Sequence, residues 1–308
     1  MALPGMTGRL GAQSYGSLGE VVREFARHRP MRLSVGGAHI DLAFAQGSNG
    51  IDTPRVVDWV TRSARAVTHY FGRFPVPQVK LLVVADDSAG VGHATTWGYG
   101  GATIRIGVGT QAAALAFRRD WVLVHEMVHL ALPNLPEEQV WALEGNATYV
   151  EPVARVQAGD LDPATIWREM TLGMVKGLPL AGDEGLDRTH SWARTYWGGA
   201  LYYLVADIDI LTRTGGTKGL QHALRAINRA SGGNGTEWSM EQLVKTGDAA
   251  TGVDTLTRLW TQWRDTPVPV DLVRLFADLG VSAGAEGVVF NDDARLASTR
   301  RAITRSRA

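Results

Sequence analysis

Apolar positions divide the chain into two stretches with different periods. Met31–Val35 and 39–45 have the look of short strands, and Gln78–Asp86 is apolar enough for a buried one. The run 102–108 alternates as a half-buried strand does. Between these, Val56, Val57, Trp59, Val60, Ala64, Val67 and Tyr70 recur near helical spacing. The pattern predicts a helix with Thr53 as N-cap and Pro54 as first helical residue, running to Phe71 and closed by Gly72. A short helix is expected at 19–27, within an otherwise irregular segment 1–30. From about residue 111 the helical period dominates: 112–132, 137–157, 164–175, 190–213, 217–230, 239–246, 253–264 and 270–279, with a last strand at 287–291. The expected fold class is α+β. Its parts are an irregular segment 1–30, an α+β lobe 31–110, a helical lobe 111–280 and a tail 281–308. The tail's Arg295, Arg300, Arg301, Arg305 and Arg307 read as a solvated segment.

Composition narrows the chemistry. The 308 residues are 45% hydrophobic and 20% charged, an ordinary soluble globular balance for one or two domains. Lys+Arg and Asp+Glu are 31 each, so nothing marks a dedicated nucleic-acid binder. No run approaches the roughly 18 apolar residues of a membrane span, and the N-terminus has no apolar stretch of signal-peptide length. Only four of the 31 basic residues are Lys, which fits a GC-rich bacterial genome. The expected compartment is the bacterial cytoplasm, or the periplasm or exterior if a signal was trimmed away. There is no Cys, so disulfides, thiolate metal sites and a thiol nucleophile are excluded. A transition-metal site must come from the eight His and the carboxylates.

Two of those His have the right spacing. The segment 121–132 reads WVLVHEMVHLAL and contains His125-Glu126-Met127-Val128-His129, an H-E-x-x-H pattern. On a helix, His at i and i+4 share one face and reach one ion, with Glu126 beside its open position as general base. The rest of the segment is almost wholly apolar, and two His and a Glu in a buried helix are costly unless something satisfies them. No third His follows nearby. After the turn Pro133-Asn134-Leu135-Pro136, a second helix carries Glu144, with fourteen residues between it and His129. Packed back on the first, it presents Glu144 to the same ion. Two His and a Glu leave zinc a fourth position for water. Thr148 and Glu151 lie one and two turns past Glu144 on the same face, where either could orient a ligand.

LEGNATYVE after H-E-x-x-H resembles the N-E-G-F-A-x-Y-x-E segment of gluzincins, the thermolysin-like zinc metallopeptidases of clan MA. These include the M1 aminopeptidases and the M61 glycyl aminopeptidases, and their glutamate ligand maps onto Glu144. A second segment, Tyr196-Trp197-Gly198-Gly199-Ala200, is similar to their Tyr-x-Lys-Gly-Ala, with Gly198 in place of Lys. It is closest to the M61 form, where a long apolar helix and a Gly-Gly turn follow, as Gly215-Gly216 does here. By this resemblance Tyr196 donates a hydrogen bond to the oxyanion of the transition state. In these families a strand beside the metal pairs with extended substrate. The Gly-rich segment 96–106 holds that place, with Gly100, Gly101, Ala102 and Thr103 as substrate-pairing candidates; a plain hairpin turn reads equally well. M1 enzymes carry a Glu in this segment that holds the substrate's α-amine, and no acid occurs between Gly98 and Gly109.

The resemblance covers roughly residues 80–280. It implies a thermolysin-like catalytic unit holding one Zn2+ per chain on His125, His129 and Glu144, with Glu126 as general base and Tyr196 at the oxyanion. The substrate is a peptide or protein, possible aminopeptidase action included; neither nucleic acid nor a membrane span is expected, and oligomeric state is not legible. The alternatives are a non-catalytic peptide-binding protein on the same fold, and a zinc hydrolase of non-peptide amides or esters.

Overall fold

The computed structural model describes residues 15–284 and 287–305; the extreme N-terminus and Arg307 lie outside the described residues. The elements run α1 (Leu18–Phe25), β1 (Met31–Val35), β2 (Ala38–Phe44), α2 (Thr53–Phe71), β3 (Gln78–Asp86), β4 (Val91–Trp97) and β5 (Thr103–Gly109). These strands make one mixed sheet in the order β1-β2-β3-β5-β4. β1 is antiparallel to β2 and β4 to β5, while β2, β3 and β5 are parallel. Central β3 is buried on both faces, as its unbroken apolar run requires. α2 is the β2-to-β3 crossover and packs Val56, Trp59, Val60, Val67 and Tyr70 into the main core. On the other face α1 sets Val21 and Phe25 against Ala43, Leu82 and Val84.

Helices follow: α3 (Ala114–Arg119), α4 (Val122–His129), α5 (Val140–Gln157) after a 3-10 turn at Glu137–Gln139, α6 (Pro163–Gly173), α7 (Gly199–Arg213), α8 (Leu220–Ser231), α9 (Met240–Thr251), α10 (Thr255–Trp263) and α11 (Leu272–Leu279). A π-helical turn, Arg194–Gly198, leads into α7. The chain closes with β6 (Val281–Gly284), β7 (Gly287–Phe290) and α12 (Ala297–Thr304). One apolar cluster runs without a break from Ile40 and Leu81 in the sheet to Leu224 and Leu279 in the helices. No helix among the described residues is long and apolar enough to cross a membrane.

Four expectations need correction. Asp52, not Thr53, caps α2: its carboxylate accepts the Arg55 N–H at 3.1 Å, a stronger acceptor one residue earlier. The helix expected over 112–132 is two, because Asp120 leaves the helical conformation (ψ 133°). Its buried carboxylate accepts the N–H groups of Val122 and Leu123 and the Trp59 indole N–H, so it starts α4 afresh. The edge strand is β4, whereas Thr103 lies on β5, paired on both sides by β3 and β4. Gly100 and Gly101, with φ of 72° and 100°, form the tight turn between β4 and β5, a conformation glycine adopts without a Cβ penalty. The tail is solvated only in part, with Arg295 and Arg301 exposed. Arg300 is buried and donates to the carbonyls of Leu279 and Gly280 at 3.0 and 2.8 Å, and Ile303 packs into the core.

α5 and the start of α7 cross with backbone on backbone. A Cβ on Gly145 would stand 2.3 Å from Gly199 Cα, and one on Gly199 would stand 2.2 Å from the Trp141 carbonyl. Neither neighbour is a side chain that can swing away, so Gly145→Ala should lose about 1–3 kcal/mol of stability, the usual cost of overpacking. Equilibrium denaturation of the variant beside the parent measures it; an unchanged midpoint would show that the helices separate freely.

Candidate metal centre

α4 is short and strongly apolar, and it is buried almost throughout. It brings His125 and His129 to one side, and α5 packs across it with Glu144. The three ligand atoms converge. His125 Nε2 lies 3.2 Å from His129 Nε2, and Glu144 Oε2 lies 3.3 Å from each. Two imidazole nitrogens and a carboxylate oxygen at this spacing repel unless a cation or shared protons lie between them. Atoms bonded to one tetrahedral zinc at about 2.0–2.1 Å would stand about 3.3–3.4 Å apart, so the donor set fits the ion in chemistry and in size. Among the described residues this is the group of His and carboxylate side chains arranged to hold a metal.

The electrostatics agree. Burial pushes the His125 imidazole below its ordinary value, against the pull of Glu144. Burial acts the same way on His129, but the hydrogen bond and charge of Glu144 outweigh it and raise this imidazole. Burial would raise the Glu144 carboxyl; the two imidazoles instead hold it well below the usual carboxylate range. The centre is thus built around an anionic Glu144.

Glu126, whose charge acts on both imidazoles, also reaches the sheet. Its Oε2 accepts the Thr96 hydroxyl of β4 at 2.6 Å, and Oε1 has no hydrogen-bond partner among the described residues. Thr96 also reaches the Glu126 carbonyl at 3.1 Å, fixing the edge strand to α4. Tyr196 sits in the π-turn with its ring stacked on His125 (centroids 6.2 Å apart, planes 10°). Burial first, and the Glu144 charge second, push its phenol up to about 12, so it stays a donor at any ordinary pH. Arg194, at the start of the same turn, is buried and pairs with Asp183 at 2.6 Å, which anchors the turn. Two exposed tryptophans flank the rings: Trp121 meets His125 edge-on at 5.6 Å, and Trp192 stacks on Tyr196 at 5.6 Å.

The structure therefore brings together His125, His129, Glu144, Glu126 and Tyr196. Thr148 and Glu151 line a cleft of about 840 Å3 that opens beside His125 and Tyr196, and neither bonds a ligating His. Glu151 is bound at 2.7 Å to buried Arg155, and the Thr148 hydroxyl has no partner among the described residues. Gly100 and Gly101 lie in the turn beyond the edge strand, and the Ala102 carbonyl is taken by the Lys80 N–H at 3.0 Å. Thr96, Asp120 and the two tryptophans escape a reading by motif. Thr96 lies thirty residues from Glu126, and only Asp120, an acid just ahead of an apolar helix, leaves a local signal.

No family model matches the chain, and no curated protein matches it. Solved structures do. An aminopeptidase N family protein from Idiomarina loihiensis superposes with a TM-score of 0.62 at 15% identity, over 82% of this chain and 49% of that one. A mutant M1 zinc metallopeptidase from Deinococcus radiodurans bound to a Tyr-Ser-Ala substrate gives 0.50 at 15% identity, over 79% and 52%. A mutant two-domain M1 zinc metallopeptidase bound to L-tryptophan gives 0.51 at 14%, over 79% and 52%. The chain spans about half the length of each. At this identity the likeness is one of fold.

The donor set predicts about one zinc per chain. His129→Ala and Glu144→Ala should each empty the site, and a chelator should lower the melting temperature, since a ligand of the native state stabilises it. Elemental analysis of protein purified without chelator checks this; zinc far below one per chain would refute it.

Proposed function

We propose that this chain is a zinc-dependent metallopeptidase that hydrolyses peptide bonds. The observation that carries the reading is the convergence of His125, His129 and Glu144 at zinc-ligand spacing, with Glu126 and Tyr196 placed around it. The M1-like fold of the structural neighbours supports it. A nearer kinship to the M61 glycyl aminopeptidases rests on the segment from Tyr196 to Gly216 alone.

Zinc would supply Lewis acidity, polarising a carbonyl and bringing the pKa of a water ligand to about 7. The other parts are the chain's own. Glu126, held by Thr96 through Oε2, takes the proton of the attacking water on Oε1 and returns it to the leaving amine. Tyr196, a neutral phenol, donates its O–H to the oxyanion of the tetrahedral intermediate. Among the described residues β4 has β5 on one side only, so its outer edge can pair with extended substrate by main-chain hydrogen bonds. The cleft beside His125 and Tyr196 receives the substrate side chains.

Glu126→Gln should keep its zinc and lose turnover by at least about a hundredfold, the low end for removing a general base. Cleavage of a peptide library with and without chelator, followed by mass spectrometry, provides the assay. A Glu126→Gln protein as active as the parent would overturn the assignment. Tyr196→Phe should lower kcat by about 10²–10³-fold. Its phenol titrates only near pH 12, above the working range, so the donor is present throughout. The kcat–pH curve from pH 5 to 10 should drop in height and keep its shape; a lost alkaline limb would mean that Tyr196 acts by ionising.

A further inference from the structure

The cleft beside the metal centre has an uneven charge. Five basic and two acidic side chains line it. The acids answer buried Arg155 first: Glu151 binds it at 2.7 Å, and Glu169 faces it and, more weakly, its own neighbour Arg168. Arg118 and Arg119 on α3, Arg168 on α6 and Lys176 just beyond it are exposed, and none has an ion-pair partner among the described residues. Lys176 rests over the Trp197 ring at 5.6 Å, which leaves its charge available. The same cleft is lined by Trp121, 53% exposed and edge-on to His125, and Trp192, 60% exposed and stacked on Tyr196. Large exposed aromatics beside cations make a wall suited to a ligand with an apolar body and an anionic group. In a chain of zero net charge the surplus is local, and a cleft focuses such a field.

We infer that this cleft is a carboxylate-binding subsite: the substrate segment it receives carries an acidic side chain or a free C-terminal carboxylate held by Arg118, Arg119, Arg168 and Lys176. Guanidinium groups accept a carboxylate in a two-pronged geometry, and the ammonium adds a point charge. Trp121 and Trp192 cover the apolar part of the same segment. The inference rests on the peptidase reading for its substrate class, and binding tests it apart from turnover.

The zinc-loaded Glu126→Gln protein is titrated by calorimetry with three peptides. Acetyl-Ala-Phe-Glu-Ala-amide carries a side-chain carboxylate, acetyl-Ala-Phe-Gln-Ala-amide carries none, and acetyl-Ala-Phe-Gln-Ala with a free C-terminus carries only the terminal one. At least one carboxylate peptide should bind about tenfold more tightly than the neutral one, the scale of a charge-assisted contact; which one does so identifies the source. Added salt should erode the preference. Combining Glu126→Gln with Arg168→Gln and Lys176→Gln, or with Arg118→Gln and Arg119→Gln, should bring the favoured peptide toward the neutral one. Equal binding of all three, no binding of any, or a preference that survives both pairs of substitutions overturns the subsite. A preference in a protein whose parent cleaves no peptide keeps the subsite and removes the peptidase reading. Cleavage of all three by the parent with equal binding does the reverse.

Discussion

Two helices cross at Gly145 and Gly199 with no side chain between them, and the centre depends on that contact. Gly145 follows Glu144, the carboxylate of the trio, and Gly199 follows the π-turn that carries Tyr196. Because α5 meets α7 backbone to backbone, Glu144 and Tyr196 are held as one unit. The π-turn also has a packing logic. An extra residue in a helical turn shifts the side chains that follow it, and here Tyr196 is stacked on His125 while Tyr203 donates to the Ala142 carbonyl at 3.0 Å. Arg194 and Asp183 hold the turn from behind. Buried ion pairs add little net stability but fix geometry when both partners are present.

The second constraint is electrostatic. α4 is apolar enough to be a core helix, yet it buries His125 and Glu126. A fold tolerates this only when each polar group has a counterpart. Glu126 finds one in Thr96, and His125 and His129 find theirs in Glu144. Asp120 performs a parallel task at the start of α4, spending its buried carboxylate on two backbone N–H groups and the Trp59 indole. The sheet, through Thr96, and α2, through Trp59, thus fix α4 at two points along its length. The ligands stand on a helix that cannot turn about its axis without breaking hydrogen bonds to both.

The H-E-x-x-H helix and Glu144 were readable because their geometry is set by spacing along regular helices. The strands and most helices were readable because apolar period follows burial. What escaped depends on contacts between distant residues. β4, Val91–Trp97, contains Gly92 and is neither cleanly alternating nor buried; it is a strand because β5 offers it a ladder, which no pattern in its own residues shows. The break at Asp120 was hidden because Phe117 and Leu123 continue the helical spacing across it. Thr148 and Glu151 do share the helix face predicted for them, but that face points into the cleft, and Arg155, four residues on, takes Glu151. An Arg-rich segment ordinarily faces water, as Arg295 and Arg301 do. Arg300 is buried because the carbonyls of Leu279 and Gly280, at the end of α11, lack helical partners that its guanidinium can replace.

Equal numbers of acids and bases gave no sign that charge selects the substrate, yet a sum over the chain cannot see how charges are placed. Many acids are committed to arginines in the interior or at element ends: Glu151 to Arg155, Asp183 to Arg194, Asp209 to Arg258. Others cap helices, as Asp52, Asp162 and Asp271 do. Each such acid is unavailable to balance a cation elsewhere. Which cations remain unpaired is therefore a matter of placement, and Arg118, Arg119, Arg168 and Lys176 stand where a cleft concentrates their field. Charge neutrality and a charge-selective site are therefore compatible, because folding sorts the carboxylates before any substrate meets what remains.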